Sequence, residues 1–151
     1  MMSKEAKKNY VEEMKKNFTD NESVMIAQYQ GLNVNELDAL RKELREKGIL
    51  FKITKNRITK IALKETSKKD LEKYFIGPTA AAISSDPISS AKILTKFSKL
   101  NSKLKIIAGF MDGKVLDEKE VSIIATLPSL EEARAKIVGI LASPAQKLVS
   151  I

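Results

Sequence analysis

The hydrophobic positions of this chain switch repeatedly between helical and strand-like spacing, and each switch marks an element. Apolar residues recur every three or four positions in residues 4–18, which predicts an amphipathic helix. The short apolar run 24–29 predicts a buried strand that ends before Gly31. Asn33 opens the next helical stripe, and Glu36 follows it at the spacing of a capping box. The chain therefore begins as helix, strand, helix.

The same alternation continues through the middle of the chain. Gly48 lies where a helix C-cap belongs, and residues 49–54 alternate like a half-buried strand. A helix is expected from about Asn56, and a further short helix from Ser67. The residues of the Asn56 helix expected to face inward are Ile58, Ile61 and Ala62.

Two more strands flank a well-marked helix. Residues 79–83 predict a strand of very small side chains, which favours close packing of helices against it. Asp86 and Pro87 have the N-cap and N1 chemistry of a helix start. Residues 104–110 predict another strand, and residues 112–113 (Asp-Gly) a hairpin-type turn. The stripe expected to be buried in the intervening helix is Ala91, Leu94, Phe97 and Leu100.

This order of elements predicts an α+β fold, an α/β sandwich. Strand–helix–strand, a helical insert and strand–helix–strand is the order of two split βαβ units in the ferredoxin-like fold. The helices are expected to cover one face of an antiparallel sheet, with the N-terminal helix added. Acids outnumber lysines in residues 112–132, so we predict a boundary after an α/β domain of residues 1–113. Residues 114–142 are expected to form a helical extension, and residues 143–151 to begin a last helix.

Composition narrows the function classes. The net charge is +8 and the pI near 9.6, which directs a protein toward phosphate backbones or anionic lipid. The chain has no cysteine and no histidine, so thiolate chemistry, disulfides and the usual zinc sites are excluded and the commonest general base is missing. We expect no enzyme activity, no cofactor and no metal. No apolar run approaches the roughly 20 residues that span a bilayer, and the N-terminus lacks a signal core, so we expect a cytoplasmic protein with no membrane partner.

The densest group of cations follows the second predicted strand. Residues 52–69 contain seven basic residues and one acid, Glu65. Such an array suits phosphate oxygens, because each cation displaces condensed counterions; the alternative is a solvated helix face. Four of the cations are spaced 3, 4 and 4 along the predicted helix, on the side opposite its isoleucines: Arg57, Lys60, Lys64 and Lys68.

Three other cationic groups suit either a contact with phosphate or an ordinary surface position. Arg41 and Arg45 lie one helical turn apart, with either phosphates or nearby acids as partners. The N-terminal lysines form a basic helical arm that acids dilute. A further lysine stripe suits a solvated face as well as a secondary electrostatic contact; its members are Lys92, Lys96, Lys99 and Lys103. Aromatic residues are few and fall mostly on apolar faces, which favours a folded RNA read by shape over single-strand stacking.

Four stretches carry a family resemblance. They are YQGLNVNELDALRKELREKGILFKITKNR, GPTAAAISSDPISSAKIL, KLKIIAGFMDGKVLDEKEV and ATLPSLEEARAKIVGILASP. In this order and spacing, the chain resembles the bacterial large-subunit ribosomal protein ten family, the proteins of the ribosomal stalk base. The stretches together cover most of the chain.

The resemblance implies a structural ribosomal protein rather than an enzyme. It implies binding to large-subunit rRNA at the GTPase-associated centre, beside ribosomal protein eleven. It also implies a C-terminal helix that anchors dimers of the acidic stalk protein, which recruit translational GTPases. The rRNA-binding residues implied are Lys4, Lys7, Lys8, Lys52, Lys55, Asn56, Arg57 and Lys60. The stalk-protein-binding residues implied are Leu148, Val149 and Ile151.

Two departures from the family pattern matter. The common form of the family has threonine after the Lys-Asn pair, whereas this chain has Arg57. The arginine strengthens the prediction that this segment binds phosphate. Family members usually continue with a long apolar-striped helix, whereas here the last helix offers only a few apolar residues before Ile151. The stalk-binding helix is therefore expected to be truncated or lost. The alternative function is that of a stalk-protein paralogue, which acts in ribosome assembly by binding rRNA without recruiting the stalk.

Overall fold

The computed structural model describes residues 3–127 of the chain. The predictions for the last helix, including its stalk-binding residues, lie outside this range. The described elements, in chain order, are α1 (Lys4–Asp20), β1 (Ser23–Gln28), α2 (Val34–Glu46), β2 (Leu50–Ile53), α3 (Asn56–Lys64), a 3₁₀ helix (Lys69–Tyr74), β3 (Thr79–Ser84), α4 (Pro87–Leu100), β4 (Lys105–Met111), β5 (Lys114–Asp117) and α5 (Glu118–Thr126).

The five strands form one antiparallel sheet in the order β2-β3-β1-β4-β5. The central strand β1 pairs on one side with β3, where Ile26 lies opposite Ala81, and on the other with β4, where Ile26 lies opposite Ala108. The first four strands have the spatial order of a split βαβ sandwich. The predicted α+β class is confirmed.

Helices cover both faces of the sheet: the two βαβ helices α2 and α4 lie on one face, as predicted, whereas α1, α3 and the 3₁₀ helix cover the other. Alternate residues of β1 enter two separate cores, because successive side chains of a strand point to opposite faces. Met25 joins the core beneath α2, α4 and α5, and Ile26 joins the core beneath α1, α3 and the 3₁₀ helix. All six residues of β3 are buried. A strand that is buried at every position needs cover on both sides.

Residues 114–117 form a strand, so the prediction of a helical extension from residue 114 is wrong for its first residues. Asp112 and Gly113 both have positive φ, 50° and 79°, as a two-residue hairpin turn requires. The chain therefore folds back, and β5 pairs with β4. Helix α5 follows and begins with a capping box, in which the backbone N–H of Asp117 donates to Glu120 over 2.9 Å.

The local signals at the other helix ends are confirmed. The backbone N–H of Asn33 donates to the Glu36 carboxylate over 2.9 Å, which completes the capping box of α2. Asp86 caps α4 by accepting from the N–H of Ile88 over 3.0 Å. One position of the predicted α4 stripe is wrong: Leu100 is exposed, because it is the last residue of the helix.

Gly109 of β4 sets a close contact between the sheet and α5. A Cβ at this position would lie 2.5 Å from Sδ of Met25 and 3.1 Å from Cγ2 of Val121. We expect Gly109→Ala to lower the free energy of unfolding by about 1–3 kcal/mol through overpacking, measured by urea denaturation. Removing the obstructing side chain with Met25→Ala should make the double variant less than additive. Full additivity would contradict this account of the contact.

Candidate nucleic-acid interface

The turn between β2 and α3 is fixed by a small polar network. The hydroxyl of Thr54 donates to the carbonyl of Thr79 over 3.1 Å. The side chain of Asn56 donates to the carbonyl of Gly77 over 2.7 Å and accepts from the hydroxyl of Thr79 over 2.7 Å. Both polar atoms of the Asn56 amide are thus engaged within the protein. The network holds the start of α3, and with it the neighbouring cations Lys55 and Arg57, in place.

Helix α1 lies beside α3, and a surface groove runs between them. Lys7 lines one part of this groove together with Lys55 and Arg57, and lines the adjoining part together with Lys4 and Lys8. Two cationic segments that are far apart in sequence therefore meet across one groove. We call it the α1–α3 groove and define it by Lys4, Lys7, Lys8, Lys55, Arg57, Ile58 and Ile61.

The floor of the α1–α3 groove is apolar. Ile58 and Ile61 line both of its parts, and Ile61 is 53% exposed. The prediction that Ile61 faces inward is wrong, because α3 buries its Thr59, Ala62 and Leu63 instead. Because the buried stripe contains a threonine, a search for apolar residues at helical spacing does not identify it. The groove thus combines an aliphatic floor with cations on both rims, and one acid, Glu12, lies among the cations of α1.

Lys52 lies beside this groove rather than in it. Its ammonium is 2.6 Å from the Glu13 carboxylate and 5.2 Å from the centre of the Tyr10 ring. The same Tyr10 accepts a hydrogen bond at its hydroxyl from the backbone N–H of Lys55 over 3.5 Å. Tyr10 therefore contacts both Lys52 and Lys55, a residue of the α1–α3 groove. Lys60, the remaining candidate, lies half-buried on α3.

The predicted cationic stripe on α3 does not extend beyond the helix. Lys68 is only 4% exposed, and its ammonium donates to the carbonyls of Phe18 and Asn21 at the end of α1. Burial lowers the pKa of Lys68, and the nearby Glu22 opposes that shift. Lys64 lies 3.7 Å from Glu72. The helical spacing fails as a guide here because α3 ends at Lys64.

Other cations have acidic neighbours on the surface. Lys96 of α4 is 3.7 Å from Glu43, and Arg41 of α2 is 3.6 Å from Asp38. Within residues 3–127, no group of three or more His, Cys, Asp or Glu side chains is arranged to hold a metal ion. None of the helices in the described range is long and apolar enough to span a membrane.

Comparison with known proteins decides the family. The family model described as ribosomal protein L10 matches residues 2–99. The chain is 57% identical over 150 residues to large ribosomal subunit protein uL10 of Pelagibacter ubique, covering 99% of this chain and 90% of that protein. The chain belongs to the ribosomal protein L10 family. The uL10 protein of Rhodospirillum rubrum is 41% identical over 150 residues, with 99% and 87% coverage, and that of Rickettsia bellii is 41% identical over 144 residues, with 95% and 85% coverage.

Membership of the L10 family confirms the resemblance drawn from the four sequence stretches. An L10-family protein is a structural ribosomal protein and not an enzyme. Because bacterial ribosomes are cytoplasmic, the expected location in the cytoplasm is confirmed as well. The cationic groove between α1 and α3 lies within the part of the chain that the L10 family model matches.

Proposed function

We propose that this L10-family protein is a component of the large-subunit stalk base that binds folded rRNA of the GTPase-associated centre through the α1–α3 groove. The observation that carries the proposal is that Lys7 of α1 lines the groove together with Lys55 and Arg57, while Lys4 and Lys8 line its adjoining part. Cations on both rims can neutralise phosphates of one RNA backbone as it lies between them.

The composition of the groove favours backbone and shape recognition. The aliphatic side chains of Ile58 and Ile61 offer no hydrogen bonds to base edges, and no aromatic side chain is among the described residues that line the groove. Arg57 suits a phosphate at the rim, since a guanidinium binds two phosphate oxygens at once. Asn56 acts by positioning, because its amide is already engaged with Gly77 and Thr79. Lys52 and Lys60 extend the cationic surface around the start of α3.

The remaining partners follow from the family resemblance. We propose that the bound rRNA adjoins ribosomal protein eleven, and that residues 143–151 begin the segment that anchors dimers of the acidic stalk protein. We assign β5 and α5 to the RNA-binding unit, because Leu116, Val121 and Ile124 are buried in the same core as α2 and α4. A unit cut after Gly113 would expose that core.

The test is binding to an rRNA fragment of the GTPase-associated centre across a salt series. Lys55→Glu/Arg57→Glu is expected to weaken binding about 30- to 100-fold near physiological salt and to flatten the salt dependence, since at least two phosphate contacts are lost. Fluorescence anisotropy with labelled RNA measures both quantities. Circular dichroism verifies that the variant is folded.

The matched control is Lys99→Glu/Lys119→Glu, which makes the same change in net charge on α4 and α5. These helices lie on the opposite face of the sheet, so binding should stay within about threefold of the native value. Equal losses in both pairs would mean that overall charge alone drives binding. Binding no tighter than to a scrambled RNA, and indifferent to both pairs, would overturn the proposal.

A further inference from the structure

A second cationic depression lies at the edge of the sheet. It runs between α2 and β2, and we call it the β2 groove. Arg41 and Arg45 of α2 line one side, and Lys52 of β2 lies on the other. None of the described residues that line it is acidic; the others are Gly48, Ile49, Leu50, Phe51 and Ile53.

The two arginines of the β2 groove are available to a ligand, whereas Lys52 is already paired with Glu13. Arg45 is exposed in the last turn of α2. Arg41 has a single described ion pair, to Asp38 over 3.6 Å, and such exposed pairs contribute at most about 1 kcal/mol. A phosphate bound by both nitrogens of the guanidinium forms a shorter and stronger contact. One turn of helix separates the two arginines, so both side chains project over the same stretch of β2.

The β2 groove and the α1–α3 groove share no described lining residue, but Tyr10 contacts one residue of each. Lys52 lines the β2 groove and lies over the ring of Tyr10, 5.2 Å from its centre. The hydroxyl of Tyr10 accepts from the backbone N–H of Lys55, which lines the α1–α3 groove. One tyrosine thus connects the two cationic surfaces around the β2–α3 turn.

We propose that the β2 groove is a second phosphate-binding arm of the RNA interface, in which Arg41 and Arg45 hold the backbone of an RNA strand. This inference rests on the proposed function and extends it. The strand enters the α1–α3 groove at Lys7 and Arg57, passes Lys52 at the turn, and continues between α2 and β2. Leu50, 42% exposed, borders the path of that strand.

The groove suits RNA better than an added peptide strand. β2 is an edge strand in the described sheet, and exposed edges can accept another strand. It has only four residues, so few backbone hydrogen bonds are available to a peptide. Three cations within one depression match the repeating charge of a phosphate backbone. An acidic peptide in this groove is the alternative that the experiment separates.

The experiment uses the absence of cysteine from the native chain. A single cysteine introduced at a chosen site gives a unique attachment point for an iron chelate that cleaves nearby RNA by hydroxyl radicals. Leu50→Cys places the probe at the β2 groove, and Ile61→Cys places it in the α1–α3 groove. Ile123→Cys, exposed on α5 across the sheet, is the control. RNA cleavage is mapped in complexes with the GTPase-associated rRNA fragment.

Cleavage from positions 50 and 61 at neighbouring RNA sites, with none from position 123, is the expected result. Cleavage from position 61 alone would overturn the second arm and leave the proposed function standing. Cleavage from neither position would overturn both. The three outcomes therefore separate failure of this inference from failure of the proposed function.

A second measurement does not depend on probe placement. Arg41→Gln/Arg45→Gln should weaken RNA binding about 10-fold, because two phosphate contacts are lost. The fall of log K with log salt should become less steep by about two. Lys99→Gln/Lys119→Gln is the matched control. Unchanged RNA binding by the arginine variant would overturn the inference. If the arginine variant binds RNA as the native protein does but fails to assemble into large ribosomal subunits, the β2 groove binds a neighbouring protein.

Discussion

Phe18→Ala is expected to lower the free energy of unfolding by about 3–5 kcal/mol, the cost of truncating a fully buried phenylalanine. Phe18 is 1% exposed and packs with Met14, Leu63 and Phe110 in the core beneath α1. It lies near the end of α1 and anchors that helix to the sheet. Loosening α1 also removes one rim of the α1–α3 groove. RNA affinity should therefore fall by more than the loss of folded protein explains.

Phe97→Ala is the matched control for this variant. Phe97 of α4 is also buried, but it belongs to the core on the opposite face. Its truncation should destabilise the fold to a similar degree and leave RNA affinity unchanged under conditions where both variants are folded. Urea denaturation and anisotropy together make the comparison. Equal RNA affinities for the two variants would contradict an anchoring role of Phe18 in the interface.

Lys68→Met is the second large effect that we expect. The Lys68 ammonium donates to the carbonyls of Phe18 and Asn21, where α1 ends. Methionine keeps the length of the side chain but leaves these acceptors without their donor. A buried polar group left unsatisfied costs about 1–3 kcal/mol; the bond to Phe18 is buried, whereas the bond to Asn21 is only partly buried. We expect a loss of about 1–3 kcal/mol in unfolding free energy by denaturant titration.

The same lysine gives a pH dependence of defined sign. Burial lowers the pKa of Lys68 below its ordinary value of 10.5, with Glu22 acting in the opposite direction. In the window between the two pKa values the unfolded chain binds more protons, so the Lys68 contribution to stability rises with pH. It is fully present above pH 10.5 and is lost as the pH falls through the lowered pKa of the folded state. The unfolding free energy of Lys68→Met should lack this pH-dependent component. It should therefore appear as the difference between the curves of unfolding free energy against pH for the native protein and the variant.

Lys69→Met is the control, because Lys69 is the exposed neighbour in the same segment. It should change the unfolding free energy by no more than about 0.5 kcal/mol at neutral pH. A Lys68→Met variant as stable as Lys69→Met would show that the ammonium contributes nothing net at the end of α1. Glu22, Glu65 and Asp112 line the cavity around Lys68, so both variants are compared under the same buffer and salt.

Features that depend on neighbouring residues were predictable from the sequence. The capping boxes at Asn33 and Asp117 and the cap at Asp86 each involve residues two to four positions apart. The hairpin turn at residues 112–113 depends on two adjacent backbone conformations. The strand order of the split sandwich followed from the element order, because few connections are physically allowed. The α+β class was accessible for the same reason.

Features that depend on distant residues were not predictable in the same way. Helical spacing groups residues on a face, but it does not identify the face that meets the sheet. The stripe Thr59, Ala62 and Leu63 of α3 is buried because α1 lies alongside, which left Ile61 exposed. Lys68 lies in the core because the carbonyl ends of α1 are there to receive it. β5 was missed because four residues carry little strand signal without their partner β4.

The candidate site shows the same division. The sequence predicted the cations themselves, including Lys7, Lys55 and Arg57. It did not reveal that Asn56 is engaged by β3 or that Lys52 is paired with Glu13. These contacts join residues that the fold brings together from separate elements. The meeting of the two cationic segments across one groove is likewise a property of the three-dimensional structure.

The central position of β1 has a consequence for the order of folding during synthesis. β1 is made early, but its partners β3 and β4 come much later in the chain. Val24 and its partner Phe110 leave the peptidyl-transferase centre about 4–17 s apart at rates of about 5–20 residues per second. Helix α1 packs on the core that these late residues complete. A nascent chain therefore carries its basic N-terminal segment for seconds before the core beneath α1 is complete, and the groove proposed to bind RNA forms only with the last strands.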